Sequence, residues 1–115
     1  MIRKTRNNSK TAEFPPEVKG VTMWELITER DGAPNFQLRE VKMEPEMLSP
    51  NHSHDWEHEM YVLEGEGICT TGSQETPIKP GDAILIPPRE HHCLRAGKKG
   101  MRLICCIPVA MVCQI

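Results

Sequence analysis

Met60-Tyr-Val-Leu-Glu-Gly-Glu-Gly-Ile-Cys-Thr-Thr-Gly-Ser-Gln-Glu75 is the stretch whose reading decides the fold. Two short runs, Met60-Tyr-Val-Leu63 and Ile68-Cys-Thr-Thr71, flank Glu64-Gly-Glu-Gly67, and Gly72-Ser-Gln-Glu75 turns the chain again. The alternation continues downstream through Lys79-Pro-Gly-Asp82, Ala83-Ile-Leu-Ile86, Pro87-Pro88, Cys93-Leu-Arg95 and Gly97-Lys-Lys-Gly100, with 101–107 as the last clear strand. Upstream, Val21-Thr-Met-Trp-Glu-Leu-Ile27 reads as a strand, Arg30-Asp-Gly-Ala-Pro34 as a turn, and 36–43 as a second strand ended by Glu44-Pro45. Short strands at roughly even spacing, punctuated by glycine and proline, predict an all-β sandwich or barrel. No ten-residue stretch carries a clean helical period.

The 115 residues suit one domain. Residues 1–13 are polar and read as a loose N-terminal arm, anchored by Phe14-Pro15-Pro16; 14–115 read as a single domain. A net charge of −2, from 14 basic and 16 acidic residues, gives no field for gripping phosphates, so nucleic acid is not an expected partner. The most apolar stretch, 103–115, is shorter than the roughly 20 residues of a spanning helix and Pro108 interrupts it, so no membrane is expected. Five cysteines, an odd number, argue against a closed disulfide framework. No apolar leader follows Met1-Ile-Arg-Lys, and the cysteines read as reduced thiols of a cytoplasmic protein.

All five histidines fall in two clusters: His52, His54 and His58, then His91 and His92. A lone histidine is more often a surface or satisfied core residue. Three within seven residues, two of them at i and i+2, change that balance, because on a strand i and i+2 side chains share a face and can grip one ion. Imidazole suits Mn, Fe, Co, Ni, Cu and Zn.

The run His52-Ser-His54-Asp-Trp-Glu-His58-Glu59-Met-Tyr-Val-Leu-Glu-Gly65-Glu-Gly67 resembles the first motif of the cupin superfamily. Gly81-Asp-Ala-Ile-Leu-Ile-Pro87-Pro88-Arg89-Glu90-His91-His92 resembles the second. Arg89 stands where that pattern has glycine and Ala96 where it has asparagine. The resemblance implies a double-stranded β-helix, a jelly-roll-like cupin barrel, with one metal inside. The Trp-Glu-His-Glu version, with Ala33-Pro34-Asn35-Phe36 upstream, is similar to small cupins that bind manganese or a related ion (Fe, Ni, Zn or Cu) through four histidines. That implies His52, His54, His58 and His92 as metal ligands.

Strand parity agrees on two choices. It sets His92 with Leu94, apart from His91, Cys93 and Arg95, so His92 is the expected ligand. If His58 faces in, Met60 and Val62 follow it and Glu59 and Tyr61 turn outward. This places fewer polar atoms in the core than the Glu59-inward alternative. Four neutral imidazoles leave a divalent ion its full charge. The resemblance then points first to a metal-dependent dioxygenase cleaving a small activated substrate. Alternatives are a metal-dependent isomerase or decarboxylase, and a metal or ligand-binding module without turnover.

Other residues read more plainly. Parity in 101–107 gives an apolar face of Met101, Leu103, Cys105 and Ile107, expected to face the barrel and to bring Cys105 beside the metal. Arg39 shares parity with Val41 and Met43, but the expectation is that it slips outward into solvent. Trp56 is expected as a packing plug beside the site, and Glu57, Glu59 and Glu64 as solvated surface. The apolar tail Ile107-Pro-Val-Ala-Met-Val-Cys-Gln-Ile115 needs cover, and with the dimers common in resembling proteins it predicts a homodimer.

Overall fold

The computed structural model describes residues 1–109, and the tail from 110 onward lies outside the described residues. The described residues form seven strands: β1 Lys10–Thr11, β2 Val21–Ile27, β3 Phe36–Met43, β4 His58–Thr71, β5 Gln74–Ile78, β6 Ala83–Ile86 and β7 His92–Pro108. Every strand pairing is antiparallel, in the order β1-β2-β3-β7-β4-β5, with β6 on β4. Among the described residues the only helical elements are two 3-10 turns, Arg6–Asn8 and Glu29–Asp31. The all-β jelly-roll expectation therefore holds.

The two longest strands correct the sequence reading in one respect. Glu64-Gly-Glu-Gly67 and Gly97-Lys-Lys-Gly100 were expected to separate strands, yet β4 and β7 run through them. The β4–β7 register shifts between Val62 and Glu64 and again between Gly65 and Gly67, so both strands bend together without unpairing. Gly65 (φ 71°) and Gly100 (φ 79°) adopt left-handed backbone conformations there. A Cβ on Gly65 would collide with the carbonyl oxygen of Gly100, so backbone approaches backbone with no space for a side chain.

Alternation along each strand fills the barrel. Val41, Val62, Leu94, Leu103 and Cys105 are all but fully buried, with Met43, Met60, Met101 and Ile107 around them. Burying each large aliphatic side chain contributes about 1.5–3 kcal/mol. The inward face of β7 is the expected one: Met101, Leu103, Cys105 and Ile107 are buried, and Arg102 points out to Glu40 and Glu64 at 3.1 Å each. Arg39 is the exception. It keeps parity with Val41, but at 2% exposure it lies inside, against the expectation that it would reach solvent. Its register opposite Cys105 on β7 holds the guanidinium inside the barrel.

The N-terminal arm is docked, not loose. Lys10 and Thr11 pair with Glu25 and Trp24, and Lys4 binds the Asp31 carboxylate at 3.1 Å. Arg6 donates to Glu40 at 3.1 Å and stacks over the Trp24 ring at 5.0 Å. Contacts made across the fold hold a segment whose own composition offers little reason for order.

Candidate metal centre

His58 opens β4 and His92 opens β7, where it is registered against Thr71 at the far end of β4. Thirteen residue steps of straight strand would set the two ends of β4 roughly 43 Å apart. The His58 and His92 rings are nevertheless 5.0 Å apart, centroid to centroid. The glycine corner accounts for this, because it folds both strands back and brings their ends to one mouth of the barrel.

His52 and His54 reach the same point from a loop, not from the strand on which the i, i+2 pincer was expected. One antiparallel bridge ties that loop down: His52 N–H donates to the His92 carbonyl at 3.1 Å, and His92 N–H to the His52 carbonyl at 2.9 Å. Arg89 N–H donates to the His54 carbonyl at 2.6 Å. Arg89 itself holds φ 67°, so the left-handed turn survives where glycine is replaced.

The outcome is a cluster of four imidazoles. One ring nitrogen from each of His52, His54, His58 and His92 lies within 4.8 Å of the others. His58 and His92 are buried, and His52 and His54 are half-buried. Glu59 points outward and is exposed, and His91 is exposed with Nε2 at 2.5 Å from Asn51 Oδ1, outside the cluster. Both strand-parity choices thus match the observed directions. Glu57 and Glu64 are exposed as expected.

Hydrogen bonds set the tautomers. His54 Nδ1 lies 2.7 Å from the Trp56 carbonyl and His92 Nδ1 lies 2.9 Å from the Glu90 carbonyl. A carbonyl only accepts, so both Nδ1 atoms carry hydrogen, and in the neutral ring Nε2 then presents the lone pair. His54 Nε2 and His58 Nε2 stand 2.9 Å apart. Two ring nitrogens at that separation repel unless a hydrogen or a cation lies between them. Neighbouring donors at about 2.0–2.1 Å from one ion would stand roughly 3 Å apart, so the spacing fits metal ligation. Burial, then the Arg39 charge, pushes His58 down to about 2; burial also lowers His54. Both rings are therefore held neutral, the form that ligates a metal.

Around the cluster, the Trp56 indole stacks on His54 at 4.6 Å and 10°, and packs against the core as the expected plug. Cys105 lies beside the site as expected, its Sγ 3.0 Å from His58 Nδ1, and Arg39 Nη2 donates to the same sulfur at 2.9 Å. Parity put Cys105 near the site, but nothing local in the sequence marks Arg39 as its partner.

Comparison with known proteins agrees with this architecture. The chain is 35% identical to the polyketide cyclase RemF of Streptomyces resistomycificus, covering 94% of this chain and 79% of that one, with a TM-score of 0.84. A cupin-2 domain protein of Rhodospirillum rubrum has the same fold at 19% identity, with 97% and 77% covered and a TM-score of 0.82. An uncharacterised protein of Methanocaldococcus jannaschii is 35% identical over 57 residues, 48% of this chain, and the match spans about half of that relative (46%). The Cupin domain family matches residues 39–107, from the buried Arg39 on β3 to Ile107 on β7, and the chain belongs to that family.

Proposed function

We propose that this protein is a metal-dependent enzyme acting on a small enolisable carbonyl compound. One divalent transition metal, manganese first, would be held by His52, His54, His58 and His92. The observation that carries the reading is the convergence of four imidazole nitrogens within 4.8 Å, two of them 2.9 Å apart. When bound, the ion would supply a Lewis acid that polarises a substrate oxygen.

The chain's own residues do the rest. Four neutral ligands leave the ion's charge undiminished, where a carboxylate would lower it. Trp56 braces His54, the backbone carbonyls of residues 56 and 90 orient two rings, and the apolar barrel beneath strengthens electrostatics at the mouth. Non-redox ring closure or isomerisation is the reading favoured by the similarity to a polyketide cyclase across nearly the whole chain. Oxygen-dependent cleavage, the dioxygenase reading, suits the same substrates and differs by its need for dioxygen.

Metal analysis of untagged protein after loading with Mn, Fe, Ni, Cu or Zn tests the site. Close to one equivalent is expected, lost in His58→Ala and retained in Glu59→Ala. Binding below a tenth of an equivalent, or the reverse order of variants, overturns the assignment. Incubating loaded protein with 1,3-dicarbonyl and phenolic enol compounds, with and without oxygen, separates the chemistries. Product without oxygen uptake supports ring closure or isomerisation, stoichiometric uptake supports cleavage, and tight binding without product leaves a binding module.

We further propose a cytoplasmic homodimer. Among the described residues Cys69, Cys93, Cys105 and Cys106 form no disulfide, consistent with a reducing compartment. Tyr61 and Leu85 stand 48% and 59% exposed on the outer face of β4 and β6, an apolar surface suited to a second copy. Light scattering showing only a 13.1 kDa species would reject the dimer.

A further inference from the structure

His58 differs from the other ligand candidates in what holds it. The Nδ1 atoms of His54 and His92 face backbone carbonyls, which the fold keeps in place. His58 Nδ1 instead faces a side chain, Cys105 Sγ, at 3.0 Å. That sulfur is itself held by Arg39 Nη2 at 2.9 Å. All three residues are at most 2% exposed, and they come from three strands, β3, β7 and β4. Guanidinium has donors and no acceptor, so the direction of the first bond is certain: Arg39 donates and sulfur accepts. Cβ of a β7 residue at this position points into the barrel, and rotation about one side-chain bond would carry the sulfur away from both partners. The Arg39 bond opposes that rotation.

We propose that Cys105, clamped by Arg39, is the positioning residue for His58: it fixes the ring's rotation and accepts its Nδ1 hydrogen when Nε2 is presented to the metal. This rests on the four-histidine reading above. With the ion bound, Nε2 is occupied by the ligand bond, so the remaining ring hydrogen sits on Nδ1 and is donated to Cys105 Sγ. The relay thus does with two side chains what a carbonyl does for His54 and His92. Ligand-orienting partners of this kind are typically worth about 10–100-fold in metal affinity. Arg39 acts through Cys105 and needs no contact with substrate for this role.

The test reads the histidine nitrogens as well as the metal. In 15N-labelled, zinc-loaded protein, the His58 Nδ1–H proton is expected to be resolved and slow to exchange, as one donated to a buried sulfur. Cys105→Ala should move that proton upfield and speed its exchange, while His91, which lies outside the cluster, stays unchanged. Chelator competition with zinc should then show a 10–100-fold weaker affinity for Cys105→Ala, and a smaller loss for Arg39→Met. Cys105→Ser, whose hydroxyl also accepts, should recover most of the affinity. Thermal melts check that each variant folds, and Cys105→Val, which fills the space without an acceptor, should behave as the alanine variant does. An unchanged His58 Nδ1–H shift and exchange rate in Cys105→Ala overturn the relay, as does zinc affinity equal to wild type in both the alanine and valine variants. Wild-type protein that takes up no zinc overturns the metal reading, whereas zinc bound by wild type with an unchanged Nδ1–H in Cys105→Ala overturns the relay alone.

Discussion

Replacing Gly65 by alanine should damage this protein far more than the same change at Gly72, although both glycines have left-handed backbones. At Gly72, φ is 58° and an added Cβ meets nothing within 4 Å, so only the backbone penalty applies, about 1 kcal/mol. At Gly65, φ is 71° and the new Cβ lands on the Gly100 carbonyl oxygen, 2.9 Å from its carbon and 3.0 Å from Met101 Cα. These are backbone atoms of the paired strand and cannot swing aside, so the corner itself has to open. Overpacking of this type costs about 1–3 kcal/mol, which with the backbone term makes roughly 2–4 kcal/mol. For a domain of this size about 4 °C of Tm accompanies each kcal/mol. Gly65→Ala should then melt roughly 8–16 °C below wild type and Gly72→Ala about 4 °C below, followed by circular dichroism on metal-free protein. The same corner brings His58 to His92, so Gly65→Ala should also weaken metal uptake, and Gly72→Ala should leave it alone. Equal melting shifts for the two variants would refute the account of the corner.

Arg89→Gly should raise stability by about 1 kcal/mol, since Arg89 holds φ 67° in a turn that glycine enters without strain; a lower Tm would show that its side chain contributes more than its backbone costs. Acid should destabilise the metal-free protein through His58. Its folded-state proton affinity is depressed to about 2, mainly by burial, against an ordinary value of 6.5, so below pH 6.5 the unfolded chain takes up a proton that the folded chain refuses. That contribution is fully present above pH 6.5 and falls away as the pH drops, by about 2 kcal/mol between pH 7 and pH 5. Urea unfolding should show this loss in wild type and not in His58→Gln; identical pH dependence in the two proteins would refute it.

The sequence by itself determined the all-β class, the strand parities and the identity of the four clustered imidazoles. Hydrophobic alternation over 58–62 and 92–94 already separates His58 from Glu59 and His92 from His91, because neighbouring residues on a strand must take opposite faces. Glycine and proline marked the bends, since each restricts the backbone in a way that is readable locally. What a local signal does not carry is whether a bend ends a strand. The 64–67 and 97–100 segments look like turns in isolation, and only their mutual pairing keeps β4 and β7 continuous. The docked N-terminal arm likewise depends on Arg6 meeting Glu40 and Trp24, partners distant in the chain. Arg39 is the clearest case. Parity allowed it to face inward, and the expectation was a slip of phase that leaves it in solvent. Its placement was decided by a sulfur on β7, 66 residues away, whose register against β3 exists only once the sheet has formed.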